Sequence, residues 1–152
     1  MRRTLVGLVL ALAVAASSGC GGSSANSLEG SISSVFALDF DTVSLNQIGD
    51  YLVVEYLRAS DNARIVKLTV YTSDLQIAPG KGFDLTDRNP PRGTLEHITG
   101  SNMQLPIVNG SLTLDQVPTP GMHLSGHFFT TVMPASTTRT LNGNFDGTLV
   151  QK

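Results

Sequence analysis

The sequence has a single cysteine, Cys20, and no tryptophan among its 152 residues. One cysteine excludes an intramolecular disulfide, so the fold must be stabilised by an apolar core. Charged residues make up only 14% of the chain, with no run of one sign and no basic patch interleaved with aromatics. The electrostatic character of a nucleic-acid-binding protein is therefore missing. The lack of tryptophan also disfavours a sugar-binding platform built on stacking.

Common catalytic and cofactor-binding motifs are absent as well. The chain contains no glycine-rich phosphate loop with lysine, no His-Glu-x-x-His zinc motif and no Gly-x-Ser-x-Gly nucleophile turn. These absences predict a protein that is not an enzyme and that binds no cofactor.

The first nineteen residues have the three-part organisation of an export signal. Arg2 and Arg3 supply positive charge, residues 4–16 form a continuous weakly polar to apolar run, and three small residues follow. The run is shorter than the roughly 20 residues that a membrane-spanning helix needs. Residues 1–19 are therefore predicted to be a signal peptide.

The stretch Ser17-Ser18-Gly19-Cys20 resembles the lipobox of bacterial lipoproteins, although Ser17 stands where an aliphatic residue is usual. The resemblance implies that the Cys20 thiol is joined to a diacylglycerol and that Cys20 becomes the new N-terminus. Two or more acyl chains give stable membrane attachment, since each buried methylene contributes about 0.8 kcal/mol. Gly21 stands where family members retained on the inner membrane often carry aspartate, which favours the outer membrane.

Cleavage by an ordinary signal peptidase, near residues 13–15 or Ser18, is the alternative. It would release a soluble secreted protein with a free thiol. After removal of residues 1–19, eight basic residues remain against twelve acidic ones, a net charge of −4.

Downstream of the signal peptide, the chain divides into two parts. Residues 20–29 are predicted to contain the lipidated cysteine and a flexible tether, because the sequence GGSSANS has no apolar period. Residues 30–152 have the length of one domain. That domain is predicted to be all-β, since its apolar residues alternate in short runs and no stretch has helical spacing.

A first hairpin is predicted to join Tyr51–Arg58 to residues 64–71 through a three-residue loop ending at Asn62. A slip of one residue would scramble both faces, so the match of side chains supports one register. The predicted pairs are Leu52 with Val70, Val54 with Leu68, Tyr56 with Val66, Tyr51 with Tyr71, Val53 with Thr69, and Glu55 with Lys67.

A second predicted hairpin joins residues 122–133 to residues 138–150 around a turn at residues 134–137. Large side chains that lie over glycines restore the packing that glycines lack. The motif at residues 143–149 is therefore interpreted as structural. Each bulky inner residue is predicted to face a glycine: Leu124 with Gly147, Phe145 with Gly126, and Phe128 with Gly143.

Three further local features are predicted. Asn109-Gly110 suits the two-residue turn of another hairpin, and Pro106 indicates a sheet edge. A long first strand is predicted through Ile32, Phe36, Leu38 and Phe40. Residues 73–91 are expected to be mostly loop, held to the core by Phe83 and Leu85.

About eight or nine strands in sequential hairpins predict a single small antiparallel β-sandwich, with a small closed β-barrel as the alternative. The last hairpin presents one polar face, with His123, Ser125 and His127 on one strand and Asn144, Asp146 and Thr148 on the next. Two histidines four residues apart on a strand lie about 13 Å apart, too far to chelate one metal together. A solvated face is the favoured interpretation.

Asp84, Asp87 and Asn89 suggest a calcium site, but their spacing lacks the alternating ligands and central glycine of an EF-hand loop. A solvated, turn-rich loop is the favoured interpretation of this segment too.

Taken over its length, the sequence resembles the uncharacterised small envelope lipoproteins of Gram-negative bacteria. The leading hypothesis is a non-catalytic β-domain with a binding or structural role, anchored by lipid on Cys20 and contacting a protein partner in the envelope. The strand edge near residues 103–108 is the expected contact surface. The rival is a small-ligand or metal-binding protein, or a hydrolase, that uses either residues 73–91 or the face of His123, His127 and Asp146.

Overall fold

The computed structural model describes residues 26–152. In that range the chain forms ten β-strands and two short 3-10 turns, with no α-helix. The predicted signal peptide at residues 1–19 and the predicted lipidation site, Cys20, lie outside the described residues. The strands are β1 (Ser27–Glu29), β2 (Thr42–Ile48), β3 (Tyr51–Arg58), β4 (Ala63–Tyr71), β5 (Gly82–Asp84), β6 (Gly93–Thr99), β7 (Ser101–Leu105), β8 (Ile107–Leu114), β9 (His123–Val132) and β10 (Arg139–Gln151).

The strands form two packed layers that share one continuous path. The order is β5-β8-β9-β10-β2-β3-β4-β6-β7, with β1 beside β10. We call β1, β5, β8, β9 and β10 layer A, and β2, β3, β4, β6 and β7 layer B. Among the described residues the path has two ends, β5 and β7, so the sheet is not closed and the barrel alternative is wrong. The all-β sandwich predicted from the alternating pattern is confirmed.

Strand β10 joins the two layers. Its Asn142–Asn144 part pairs with β1 in layer A, and its last residues pair in parallel with β2 of layer B. The core lies between the layers and contains aromatic residues from both, since Tyr56 and Phe128 are fully buried with ring centroids 6.3 Å apart. The Tyr56 hydroxyl donates a hydrogen bond to the Asn144 carbonyl across the core at 2.8 Å. Burial raises the pKa of this hydroxyl, which therefore stays protonated.

Two of the three predicted hairpins have the predicted register. In the β3–β4 hairpin every predicted pair is present, with a bulge only beyond Tyr56. In the β9–β10 hairpin Phe128 lies opposite Gly143, Phe145 opposite Gly126 and Leu124 opposite Gly147. The glycines provide space for the aromatic rings, because a Cβ on Gly143 would lie only 2.6 Å from the Phe128 ring.

The predicted hairpin turn at Asn109-Gly110 is wrong. Both residues lie inside β8, where Gly110 pairs with Thr130 of β9. On the other side of β8, the Gly110 carbonyl accepts a hydrogen bond from the Leu85 amide at 2.9 Å. Partners on both sides hold β8 extended, so tertiary pairing overrides the local preference for a turn. Chain reversal occurs instead at Gly100, between β6 and β7, where φ is +80°.

The predicted long first strand through residues 32–40 is also wrong. Residues 31–34 form a 3-10 turn and β2 begins only at Thr42. The apolar spacing still identified core residues, because Ile32 is fully buried and Phe36, Leu38 and Phe40 pack against the core. A segment outside a strand can also direct alternate apolar side chains into the core, so this spacing does not by itself show that the segment is a strand.

Three details of the fold differ from the predicted ones: one boundary, the number of strands and the direction of one strand pair. Ser27–Glu29, assigned to the tether from the sequence, form β1 and pair with residues 142–144. Ten strands replace the predicted eight or nine, because β1 and β5 have only three residues each and give no alternating pattern. The β10–β2 pair is parallel, so the sheet is mixed rather than purely antiparallel.

Candidate functional site

The polar face predicted on the last hairpin lies on the outer surface of layer A. Asp146 is directly opposite Ser125, as predicted. His123 reaches Asp146 diagonally, with 3.3 Å between Nε2 and Oδ2, and the histidine side chain is 60% exposed. His127 instead lies edge-on to Phe129, with ring centroids 5.6 Å apart. The two histidines thus have different partners.

The hydrogen bonds on this face limit the chemistry that it could perform. The Ser125 hydroxyl donates to Asp115 at 2.6 Å, so its proton is held by a carboxylate rather than by a histidine base. A serine nucleophile requires a base within hydrogen-bond reach and an oxyanion hole. Within residues 26–152, no group of three or more histidine, cysteine, aspartate or glutamate side chains is arranged to hold a metal ion.

The loop at residues 73–91 is fixed by Arg92, a residue that no sequence pattern indicates. Arg92 Nε and Nη2 donate to the two carboxylate oxygens of Asp87 at 2.7 and 2.9 Å. Its Nη1 donates to Asp74 and to the Tyr71 carbonyl, and its side chain is only 6% exposed. The Asp84 carboxylate accepts hydrogen bonds from the Thr86 amide and hydroxyl. Asp84 and Asp87, two of the three residues that suggest a calcium site, are therefore engaged within the protein.

Phe83 and Leu85 hold this loop to the core as predicted. Leu85 is fully buried, and Phe83 packs against the core cluster. Hydrogen bonding from Arg92 lowers the pKa of Asp74. Because the folded-state pKa is lowered, this carboxylate stabilises the fold above the ordinary aspartate pKa of about 4 and loses that contribution as the pH falls through the lowered value.

We expect Arg92→Met to lower the free energy of unfolding by about 2–3 kcal/mol, because it removes several charge-assisted hydrogen bonds at a buried guanidinium. Urea denaturation monitored by circular dichroism would measure the loss. Arg88→Met is the matched control. Arg88 is 34% exposed and lies over the Tyr71 ring at 4.3 Å. Its loss should cost less than about 1 kcal/mol. A larger loss for Arg88→Met than for Arg92→Met would contradict this assignment.

His97 is a buried histidine outside the polar face of the last hairpin. Its ring stacks on Phe36, with centroids 3.8 Å apart. Nδ1 lies 2.8 Å from the Ile65 carbonyl, to which it donates, and Nε2 lies 3.1 Å from the Thr99 hydroxyl. The alternation of β6, with Leu95 and His97 both buried, is the sequence signal that places it inward. Its hydrogen-bonding capacity is satisfied, so its role is structural.

A shallow groove of about 350 Å³ lies on the outer face of layer A, and we call it the Phe129 groove. It crosses β8, β9 and β10, whose paired residues form two adjacent rows. Phe129 lies in its centre and is 54% exposed. Six side chains from the two rows line it: Asn109, Thr131 and Thr140 in one, and Ser111, Phe129 and Asn142 in the other.

The predicted contact surface at residues 103–108 does not form one continuous edge. Met103 lies on β7, at one end of the strand path, whereas Val108 lies in β8, at the bulge facing β9. Pro106 links the two strands where the chain crosses between the layers, and its carbonyl accepts a hydrogen bond from the Met133 amide. Of residues 103–108, those in β7 lie at a free edge of the described strands.

These features define an all-β sandwich domain with a polar, groove-bearing outer face. Comparison of the chain with protein-family models, with curated proteins and with solved structures gives no match. Within residues 26–152, no helix has the length and apolar character needed to cross a membrane.

Proposed function

We propose that this protein is a lipid-anchored envelope protein of a bacterium, held on the outer membrane through Cys20, and that its β-sandwich has a non-catalytic binding role. The resemblance of residues 17–20 to a lipobox supports the anchor. A short segment between Cys20 and β1 would keep the domain close to the membrane surface. The protein would then act as a binding module at that surface.

The Phe129 groove is the observation that carries the binding role. An exposed phenylalanine contributes nothing to the core, yet here it stands between polar side chains in a concave surface. Binding sites combine an apolar contact surface with a few polar groups that fix orientation. The His123–Asp146 pair and the Ser125–Asp115 pair lie further along the same face, where each group already has a partner.

The anchor is tested by intact mass spectrometry of protein extracted from membranes. We expect a mature chain that begins at Cys20 and carries added acyl mass. The variant Cys20→Ser should lack that mass and leave the membrane fraction, because the thiol is the group that accepts the diacylglycerol. Ser24→Ala, in the predicted tether, is the control and should keep the acyl mass.

An unmodified wild-type chain in the soluble fraction, cut before or after Cys20, would contradict the anchor. The protein would then be a soluble secreted binding protein.

A further inference from the structure

We infer that the Phe129 groove binds an uncharged polysaccharide chain. This inference rests on the binding role proposed above and names the chemical class of its ligand. It depends on three properties of the groove: an exposed aromatic ring, a set of neutral hydrogen-bonding side chains, and the absence of charged residues among those that line it.

The groove is built by strand register. Phe129 has Ser111 on one side and Asn142 on the other, each one strand away. Neighbouring strands lie about 4.8 Å apart, so these polar groups flank the ring within reach of one ligand unit. In the next row Thr131 lies between Asn109 and Thr140. The surface therefore presents polar groups on both sides of the ring and along the strands.

Four of the five polar side chains in the two rows of the groove are available to a ligand among the residues that the structure describes. The fifth, Thr140, bonds within the protein, through the amide and hydroxyl of Ser31. In the part of the chain that the structure describes, no protein hydrogen-bond partner is found for the side chains of Asn109, Ser111, Thr131 and Asn142. Amides and hydroxyls both donate and accept, which suits a ligand whose own groups are hydroxyls.

The charge of the groove selects among ligands. Its lining has no lysine or arginine to pair with a phosphate or carboxylate, and no aspartate or glutamate to hold a cation. A sugar ring has an apolar face of C–H groups that can lie on Phe129 while its rim hydroxyls reach the flanking amides. The chain has no tryptophan to stack on a sugar, and at this site the Phe129 ring provides the aromatic surface instead.

The shape of the groove favours an extended chain over a compact molecule. Gly110 and Thr130, the pair between the two rows, also line the groove, and residues between the two rows face inward, so backbone forms its floor. The groove is shallow and crosses three strands, so it offers a ligand an open, shallowly concave contact surface across those strands. A ribbon-like, β-linked polysaccharide fits this surface better than a globular ligand.

Binding is tested with full-length protein purified from cells, in detergent if it is membrane-bound. Titrations with cellohexaose and chitohexaose, two uncharged β-linked oligosaccharides, would be followed by calorimetry and by NMR shifts of amides in β8, β9 and β10. We expect at least one of the two to bind. Phe129→Ala should weaken that binding by about tenfold or more, as loss of an aromatic anchor does elsewhere. Phe129→Tyr keeps the ring and should retain binding.

Thr148→Ala is the control, since Thr148 lies on the same outer face, beside His123 and outside the groove. It should leave the affinity unchanged. Polygalacturonate, an acidic polysaccharide, should bind more weakly than the neutral probes. The inference is overturned if neither neutral probe binds, if Phe129→Ala leaves the affinity unchanged, or if the acidic polymer is preferred.

Failure of this inference can be told apart from failure of the proposed anchor. A chain that carries acyl mass on Cys20 but binds neither probe would support the anchor and contradict polysaccharide binding. A soluble, unacylated chain that binds a neutral probe through Phe129 would support polysaccharide binding and contradict the anchor.

Discussion

Replacing Phe128 with alanine is expected to lower the free energy of unfolding by about 3–5 kcal/mol, because it removes a large buried ring and leaves a cavity. Phe128 is fully buried between Leu112 and Gly143 and meets the Tyr56 ring edge to face. Gly143 has no side chain that could fill the space. In thermal unfolding the loss corresponds to a fall in Tm of about 10–20 °C for a domain of this size.

The neighbouring residue is a matched control for Phe128. Phe129 has the same side chain and lies on the same strand but faces solvent, so Phe129→Ala should change the free energy of unfolding by less than about 0.5 kcal/mol. Urea denaturation of both variants measures the contrast. Similar losses at the two positions would show that the assignment of inner and outer faces of β9 is wrong.

A methyl group at Gly143 should be almost as damaging as the loss of the Phe128 ring. We expect Gly143→Ala to cost about 3 kcal/mol, the upper range for overpacking a core. Its Cβ would lie 2.6 Å from the Phe128 ring and 2.8 Å from the Tyr56 hydroxyl. Both side chains are fully buried, so relief of the clash would require the core to shift. Urea denaturation followed by tyrosine fluorescence would measure this loss.

Gly147→Ala, four residues further along β10, is the control for Gly143→Ala. Among the described residues, its Cβ would meet only the Leu45 side chain, at 3.4 Å, which is an ordinary contact. The stability should change little, or rise by about 0.5 kcal/mol because alanine restricts the unfolded chain. In a Phe128→Leu background, Gly143→Ala should cost less than in the wild type, since the two positions share one space. Additive losses would argue against direct contact between them.

The register of two hairpins could be predicted because it depends on residues close together in the sequence. In β3–β4, a short loop fixes which residues face each other, and the matched pairs then confirm the alignment. In β9–β10, the alternation of bulky residues and glycines gives the same information. The core residues Tyr56, Phe128 and Phe145 follow directly from these two patterns, because facing sides alternate with every residue of a strand.

Features that depend on distant residues could not be predicted in the same way. Asn109-Gly110 has a strong local preference for a turn, but Thr130 and Leu85 pair with Gly110 and keep the strand extended. The parallel pairing of β10 with β2 joins residues about a hundred positions apart. Arg92 has no sequence signal of its own, since its partner Asp74 and the Tyr71 carbonyl are brought to it only by the folded loop.

The candidate site also has one part that nearby residues predict and another part that depends on distant residues. The polar face of β9 and β10, including the opposition of Ser125 and Asp146, follows from the hairpin register alone. The Phe129 groove requires β8 as a third strand, and the local sequence predicts a turn in part of β8. A site built from three strands is visible only when all three are correctly placed.

By itself, the sequence determined the all-β class, the register of the two hairpins and the alternation that separates core from surface, because these depend on side-chain period and short loops. The lipid anchor at Cys20 is a sequence-based proposal and lies outside the described residues. Only the tertiary structure decided how β10 bridges the layers, where β8 lies and which side chains meet in the Phe129 groove. Those outcomes depend on the free energy of packing and hydrogen bonding between distant segments, which local sequence does not encode.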